Sequence, residues 1–475
     1  MINIEKVNDV YIRIDCEEDV AYELSDIFTF EVPGAQFSPA YKKKLWDGKI
    51  RLFNLRKRTI YAGLLKTITN YLDDKEYEYN VDIAVDSSDS KHLKRFIQDL
   101  ELPSAIVPRD YQLEAVKHAV KETRALLLSP TASGKSLIIY LLMRFYEEKT
   151  LIIVPTTSLV YQMRDDFVSY GYDIDNIHCI MAGEDKVSDK PVVISTWQSI
   201  HKLSKDFHDP YKVIIGDEAH LFKAKSLTTI MEKTTSVPYR FGFTGTLDGS
   251  QTNKLVLEGL FGSVFKVTST KELMDSNYLA EMSIRCITLS HPEEARKLLK
   301  GATYPQEIDY LCQNKKRNNF IKNLAFNCKG NTLVLFQMVE KQGRLLFDLM
   351  KEQGKNVFYV DGGTKAEDRE SVRKFAEENT NVVIIASYGV FSTGVNIKNL
   401  HNVIFASPSK SRVRNLQSIG RGLRRSSEKD KAVVYDISDD IKHRNKDNYT
   451  LQHFKERLRI YSEEKFNFKV YEYKL

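Results

Sequence analysis

The segment Ser129-Pro130-Thr131-Ala132-Ser133-Gly134-Lys135-Ser136 constrains this chain more than any other feature. It lies between an apolar run, Ala125-Leu126-Leu127-Leu128, and an apolar-rich helical stretch from Leu137 to Phe145. A strand, a loop of small residues and a helix start aim backbone N–H groups at one point, which suits a phosphate. In such a loop Ser129, Thr131, Ala132, Ser133 and Gly134 form the cradle, Lys135 neutralises the β- and γ-phosphates, and the Ser136 hydroxyl ligates Mg²⁺. The first position of the G-x-x-x-x-G-K-[ST] pattern is Ser129 rather than glycine. Taken alone, the segment therefore also reads as an ordinary turn before a helix.

Asp217-Glu218-Ala219-His220 settles the choice. It follows Tyr211-Lys212-Val213-Ile214-Ile215-Gly216, which reads as a buried strand. Carboxylates at the C-terminal end of a parallel strand face the crevice where ligands bind in open α/β sheets. Asp217 is expected to hold Mg²⁺, directly or through water, and Glu218 to polarise the attacking water. The two motifs together predict hydrolysis of a nucleoside triphosphate with Mg²⁺.

A chain of 475 residues is too long for one core, so several domains are expected. From about residue 108 strands and helices alternate, with strands expected at 126–128, 150–154, 191–195, 213–216 and 240–243. A second series runs through 332–336, 356–360, 382–386, 402–406 and 432–435, without a second phosphate loop. The predicted fold class is α/β, two tandem domains of one type with mostly parallel sheets covered on both faces, plus a small N-terminal α+β domain. The expected divisions are 1–100, an accessory domain with its own core; 101–275, the domain of the phosphate loop; 276–440, the second domain with a helical and extended connector; and 441–475, a last helix and tail.

Five cysteines, none in a C-x-x-C pair, suggest neither a disulfide framework nor a zinc site. The N-terminus lacks a signal-peptide core and the richest apolar stretch is too short to span a bilayer, so a cytosolic location is expected. Net charge is only +6, so positive charge matters by its location.

Arg109-Asp110-Tyr111-Gln112 precedes the loop by about twenty residues. The Gln112 amide can read two edges of adenine while Arg109 or Tyr111 stacks on it; Asp110 also suits a helix cap. Thr156, in Val154-Pro155-Thr156-Thr157-Ser158-Leu159, and Thr196, in Thr196-Trp197-Gln198-Ser199, each follow a strand and open a helix. That repetition favours a nucleic-acid track on Thr156 and Thr196. Thr244-Gly245-Thr246 ends the strand after the acidic pair and is a candidate coupling element. In the second half, Gln417-Ser418-Ile419-Gly420-Arg421-Gly422-Leu423-Arg424-Arg425 puts Arg421 and Arg424 three apart on one helix face. Guanidinium groups there suit the charge of a transferring phosphoryl group, with Gln417 on the water or γ-phosphate. Ser392-Thr393-Gly394-Val395-Asn396 offers Gly394 to nucleotide and Thr393 to nucleic-acid backbone.

This ordered set resembles the superfamily-two helicases and translocases over about residues 108–440, which implies two tandem RecA-like domains, ATP and Mg²⁺ in the cleft, and nucleic acid across both domains. Within them the chain is similar to the phage UvsW branched-DNA helicases. That likeness includes Arg13-Ile14-Asp15-Cys16-Glu17-Glu18, the stretch from Phe37-Ser38-Pro39 to Trp46-Asp47-Gly48-Lys49-Ile50-Arg51-Leu52, Ala386-Ser387-Tyr388-Gly389-Val390-Phe391, and Glu464-Lys465-Phe466-Asn467. The resemblance implies branch migration, fork regression and unwinding of D-loops or R-loops, with branched DNA, RNA–DNA hybrids and a single-strand-binding or recombination protein as partners. It also implies a backbone contact at Ser387. Lys42, Lys43, Lys44, Trp46 and Arg51 then read as DNA contacts, cations displacing counterions and aromatics stacking on unpaired bases. The same stretch also reads as a solvated surface hairpin at Asp47-Gly48 with Trp46 buried. A double-strand translocase subunit, an RNA helicase and a strand-annealing protein with a vestigial ATPase are the rival functions.

Overall fold

The computed structural model describes residues 1–32, 34–83, 90–181, 183, 185–247, 250–352, 356–393, 397, 399–407, 411, 431–444 and 446–475. Gly394, Gln417, Arg421 and Arg424 lie outside the described residues, as does the side chain of Thr393. Met1–Ser129 with Gly134–Val267 form one compact unit, and Thr268–Leu475 with the short Pro130–Ser133 segment form another.

The first unit begins with a small α+β domain. Strands β1 (Ile2–Lys6) and β2 (Tyr11–Asp15) alternate buried and exposed side chains, the period-two pattern of a sheet with one wet face. A two-stranded ribbon pairs β3 (Thr29–Glu31) with β4 (Lys49–Arg51). Then β5 (Thr59–Tyr61) and β6 (Tyr79–Asp82) complete a mixed sheet of order β5-β2-β1-β6. The ribbon replaces the hairpin expected at Asp47-Gly48. The partner of β4 is β3, on the far side of the 32–48 segment, so those two residues lead into a strand and do not join two. Trp46 is only half-buried, and its indole N–H donates to the Lys49 carbonyl at 2.8 Å.

The next sheet is wholly parallel. Its strands are β7 (Arg124–Leu128), β8 (Thr150–Val154), β9 (Ile177–Ile180), β10 (Val192–Thr196), β11 (Val213–Asp217), β12 (Tyr239–Thr244) and β13 (Val264–Lys266), in the order β13-β7-β12-β11-β8-β10-β9. Every residue of β8, β10 and β11 is buried, as a sheet covered on both faces requires. The two edge strands, β9 and β13, escape the sequence pattern because each is short and only half-buried.

The N-terminal domain shares a core with this sheet: Ile4, Ile14, Leu64 and Ile68 join one apolar cluster with Leu126, Leu151, Phe222 and Phe261. Polar contacts lock the seam. The Tyr61 hydroxyl donates to Glu232 at 2.6 Å, Arg124 Nη2 donates to the Asp9 carbonyl at 3.1 Å, and the Asp9 N–H donates to the Thr235 carbonyl at 3.1 Å. Beneath them Arg240 is fully buried and spends its guanidinium on three carbonyls, those of Leu260, Thr234 and Met231. Burial, with the Arg124 cation nearby, lowers the Arg240 pKa to about 9. At the closest approach a Cβ on Gly63 would stand 2.1 Å from the Glu258 carbonyl oxygen.

The second unit carries β14 (Glu281–Ser290), β15 (Thr332–Phe336), β16 (Val357–Val360), β17 (Val383–Ser387), β18 (Asn402–Phe405), β19 (Lys431–Asp440) and β20 (Phe468–Lys474). Their order is β16-β17-β15-β18-β19-β14-β20, again all parallel. Two segments expected to lie outside the sheet belong to it. Part of the supposed connector is the ten-residue β14, and the tail is the edge strand β20. The helix Tyr449–Glu463 is fastened to β19 by the buried Arg457–Asp436 pair, at 2.8 Å for each of two hydrogen bonds, with the Tyr461 hydroxyl on the same carboxylate at 2.9 Å. Cys286, Cys312 and Cys328 are buried thiols. Among the described residues no helix is long and apolar enough to cross a membrane.

The close approach at Gly63 generates a test. Gly63→Ala should destabilise the chain by about 1–3 kcal/mol, because the opposing wall is backbone and yields little; urea titration of the two proteins measures it.

Candidate nucleotide site

The site is built from strand ends. Order β7-β12-β11 places the residues after β7 and β11 one strand apart, on the same edge of the sheet. The Ser129 N–H donates to the Thr244 carbonyl at 2.8 Å, which extends the β7–β12 ladder to the start of the loop. Within the loop the Ser133 hydroxyl donates to the Pro130 carbonyl at 2.6 Å and closes a tight turn. Ala132 and Gly134 both have positive φ, +67° and +77°, a geometry in which successive amides can converge on an anion. Gly134 has a second reason to lack a side chain, since a Cβ would meet Gln112 Nε2 at 2.3 Å.

From Gly134 the helix Lys135–Tyr146 departs. Lys135 Nζ lies 3.2 Å from Glu218 Oε1 and 3.4 Å from Asp217 Oδ1. Burial pushes the Asp217 carboxyl up, against the pull of Lys135. Burial acts on Glu218 in the same sense, but the Lys135 ammonium and the His220 hydrogen bond outweigh it and hold that carboxyl well below the usual range. The two carboxylates likewise outweigh burial at Lys135 and hold its ammonium above the usual lysine range. Glu218 itself sits at φ +50°, a strained conformation for a residue with a side chain, where the chain turns out of β11.

His220 ties the acidic pair to the next strand. Its Nδ1 lies 3.0 Å from Thr244 Oγ1 and 3.4 Å from Glu218 Oε2. Thr244 Oγ1 donates its own proton to the Thr246 carbonyl at 2.9 Å, so it accepts from His220 and Nδ1 carries the hydrogen. The Thr-Gly-Thr motif is thereby joined to the acidic motif by a side-chain bond that spacing alone does not reveal.

Gln112 is buried and committed. Its carbonyl accepts from the Arg109 N–H at 2.8 Å and its amide donates to the Gly134 carbonyl at 3.4 Å, bracing the helix start against the loop. Arg109 donates to the Tyr111 hydroxyl at 2.7 Å. Asp110 is not the helix cap: the helix is Asp110–Glu122 and Arg109 holds the cap position, its N–H satisfied by Gln112. Ser136 Oγ lies 3.1 Å from the hydroxyl of Tyr170, a neighbour missed in the sequence because it comes from the end of the next helix, 34 residues on.

The two threonine motifs also meet. β10 is paired with β8 in the register Thr196↔Val154, and the Gln198 amide donates to the Pro155 carbonyl at 3.4 Å. Thr156 Oγ1 lies 3.0 Å from Ser158 Oγ, and Thr196 Oγ1 lies 3.0 Å from Ser199 Oγ. Ser387 closes β17 in the second unit. Lys42, Lys43 and Lys44 are exposed, whereas Arg51 pairs with Asp47 and holds that carboxyl down to about 2. Phe37 and Leu45, 74% and 79% exposed, flank the lysines. No periodicity signals them, because the segment is neither a regular strand nor a long helix. Among the described residues no cluster of three His, Cys, Asp or Glu side chains suits a metal held by protein alone.

A phosphate loop whose lysine meets an acidic pair across a parallel sheet, followed by a second parallel domain, defines a P-loop NTPase of the helicase and translocase type. Residues 2–82 match the family described as DNA helicase UvsW, N-terminal, residues 105–249 the family Type III restriction enzyme, res subunit, and residues 315–426 the helicase conserved C-terminal domain. The chain is 37% identical over 96% of both chains to the ATP-dependent DNA helicase uvsW of Enterobacteria phage T4. Its structure matches the crystal structure of T4 UvsW with TM-score 0.53 at 35% identity, covering 100% of this chain and 99% of that one. It is 28% identical to the DNA 3'-5' translocase XPB2 of Sulfurisphaera tokodaii over 56% of each chain. The chain belongs to the UvsW DNA helicase family.

The charge cluster sets a pH signature. With Lys135 in place, Glu218 has a depressed folded pKa, so its stabilisation is present above the ordinary carboxylate range and is lost as pH falls. Lys135→Ala leaves the buried Asp217 and the partly buried Glu218 carboxylates without their counter-ion and reverses that sense. The variant should lose about 2 kcal/mol at pH 8, a buried-pair value reduced for the partial opening of the site to solvent, and clearly less at pH 5. Thermal melts of both proteins across that range check it.

Proposed function

We propose that the chain is an ATP-dependent DNA helicase that remodels branched DNA, driving branch migration, fork regression and unwinding of D-loops or R-loops in the cytoplasm of a phage-infected cell. The observation that carries this reading is the full-length correspondence to a DNA helicase, N-terminal domain included, with the lysine–carboxylate cluster intact.

ATP phosphates approaching the loop compete with Asp217 and Glu218 for Lys135, and so free both carboxylates for catalysis. Glu218 then orients the attacking water, and His220, held by Thr244, fixes the Glu218 carboxylate. The Ser136 hydroxyl and the Asp217 carboxylate are hard oxygen donors that suit Mg²⁺, an ion that keeps several waters and shares substrate phosphates. Bound there, Mg²⁺ supplies charge neutralisation on those phosphates. The roles of Gln417, Arg421, Arg424 and Gly394 carry over from the family motifs as part of the proposal, as do backbone contacts at Thr156, Thr196, Ser387 and Thr393.

The N-terminal domain is proposed as the branch-sensing element. Its exposed lysines beside Phe37 and Leu45 support this: cations grip phosphates, and apolar side chains cover bases left unstacked where duplexes part. The match of residues 105–249 to the type III restriction-enzyme family supports the rival reading, movement along duplex without unwinding.

A synthetic four-way junction separates the two readings. The wild type should convert it with ATP, and Lys135→Ala should bind it with little loss but not convert it. ATP hydrolysis on linear DNA with untouched junctions would favour the translocase. Replacing Lys42, Lys43 and Lys44 with Glu should flatten the slope of log affinity against log salt by about 3 on duplex arms, near 0.9 for each phosphate no longer neutralised; fluorescence anisotropy at several salt concentrations measures the slope.

A further inference from the structure

Ser136 and Tyr140 stand four residues apart in the helix Lys135–Tyr146, so they share one face of it. Tyr170 lies along that face. Its hydroxyl is 3.1 Å from Ser136 Oγ, its ring meets the Tyr140 ring edge-on with centroids 5.3 Å apart, and its carbonyl accepts from the Tyr140 hydroxyl at 3.3 Å. Arg144, one turn further along, donates to the Tyr140 hydroxyl at 2.8 Å and holds that ring in turn.

The backbone of Tyr170 is fixed as well. The helix Thr157–Ser169 ends on it, and Gly171 follows at φ +92°. The Gly171 N–H donates to the Val168 carbonyl and the Tyr172 N–H to the Phe167 carbonyl, each at 3.0 Å. Two such bonds around a left-handed glycine make a Schellman ending, a turn that glycine takes at no steric cost. Tyr170 is thus anchored through backbone, ring and carbonyl, and that anchoring delivers its hydroxyl to Ser136. Among the described residues it is the one side-chain partner of the Ser136 hydroxyl.

A serine hydroxyl has one proton and two lone pairs. When a lone pair serves Mg²⁺, the proton must point away from the ion and needs an acceptor. The Tyr170 oxygen is within reach to accept it. An outer partner of this kind fixes a ligand's orientation and raises its basicity. We propose that Tyr170 is a positioning residue for Mg²⁺: it accepts the Ser136 proton and so presents the Ser136 lone pair to the ion. The proposal rests on the reading of Ser136 and Asp217 as metal ligands of an ATPase, and adds to it a residue from the neighbouring helix.

Tyr170→Phe keeps the ring against Tyr140 and removes only the hydroxyl. The readout is binding, not turnover. Mg²⁺ is titrated into protein with a fluorescent ADP analogue, and the concentration that half-completes the tightening of nucleotide is recorded. In Tyr170→Phe that midpoint should rise about tenfold, the lower end for a lost outer partner, since Mg²⁺ keeps several waters. Nucleotide affinity in EDTA and the melting temperature should stay at wild-type levels. Ser136→Ala should raise the midpoint at least as far. Adding Tyr170→Phe to it should raise it no further, because Tyr170 acts through Ser136. Should Tyr170→Phe melt below the wild type, the double variant still decides: an additional rise marks general loosening and overturns the proposal. A Tyr170→Phe midpoint at or below the wild-type value overturns it too, while the metal-site reading stands. Wild-type nucleotide affinity that ignores Mg²⁺ overturns that reading itself.

Discussion

A partly buried ammonium shared by two carboxylates organises the first RecA-like domain. Lys135 comes from the helix after β7 and the acids come from the end of β11, and only the intervening β12 separates those strands. Around this cluster the neighbouring motifs are arranged as supports. Gln112 braces Gly134, so the loop cannot drift from the helix that carries Lys135. His220 links Glu218 to Thr244, so the acidic turn and the next strand end move together. The positive φ of Ala132 and Glu218 is strain held in place by these contacts, and in both cases it aims polar groups at the space where phosphates would lie.

The N-terminal domain is part of the same mechanical body. Its core runs into the face of the first sheet, and the approach of Gly63 to Glu258 leaves no room for a side chain between them. Arg240, wrapped by three carbonyls, fixes the turn and helix end on which that domain rests. The exposed lysines and Phe37 therefore belong to the same compact unit as Lys135.

The nucleotide site was largely legible because its chemistry is local: a loop between a strand and a helix, and acids at a strand end, are short patterns with a physical reason for each residue. The central strands were legible for a related reason, since runs such as Val213-Ile214-Ile215 are buried on both faces and carry an unbroken apolar signature. Legibility failed where a residue's role depends on distant partners. The segment 281–290 reads as a connector in sequence, yet pairing with β19 and β20 on either side makes it an inner strand. Trp46 looked like a base-stacking residue or a buried one. A single bond from its indole to the Lys49 carbonyl leaves it between the two, and the most exposed apolar side chains of the stretch are instead Phe37 and Leu45.

The sequence by itself determined the class of chemistry, the parallel α/β architecture and the order of the domains, because each follows from periodicity or from residue types a few positions apart. Only the tertiary structure decided that Tyr170 meets Ser136, that the Thr244 hydroxyl meets His220, that the N-terminal domain is fused to the first sheet, and that Arg317 pairs with Asp439 in the interior of the second unit. Those contacts join residues from 24 to more than 100 positions apart. No local preference encodes such a pairing; it exists because strand order and close packing bring the partners to the same place.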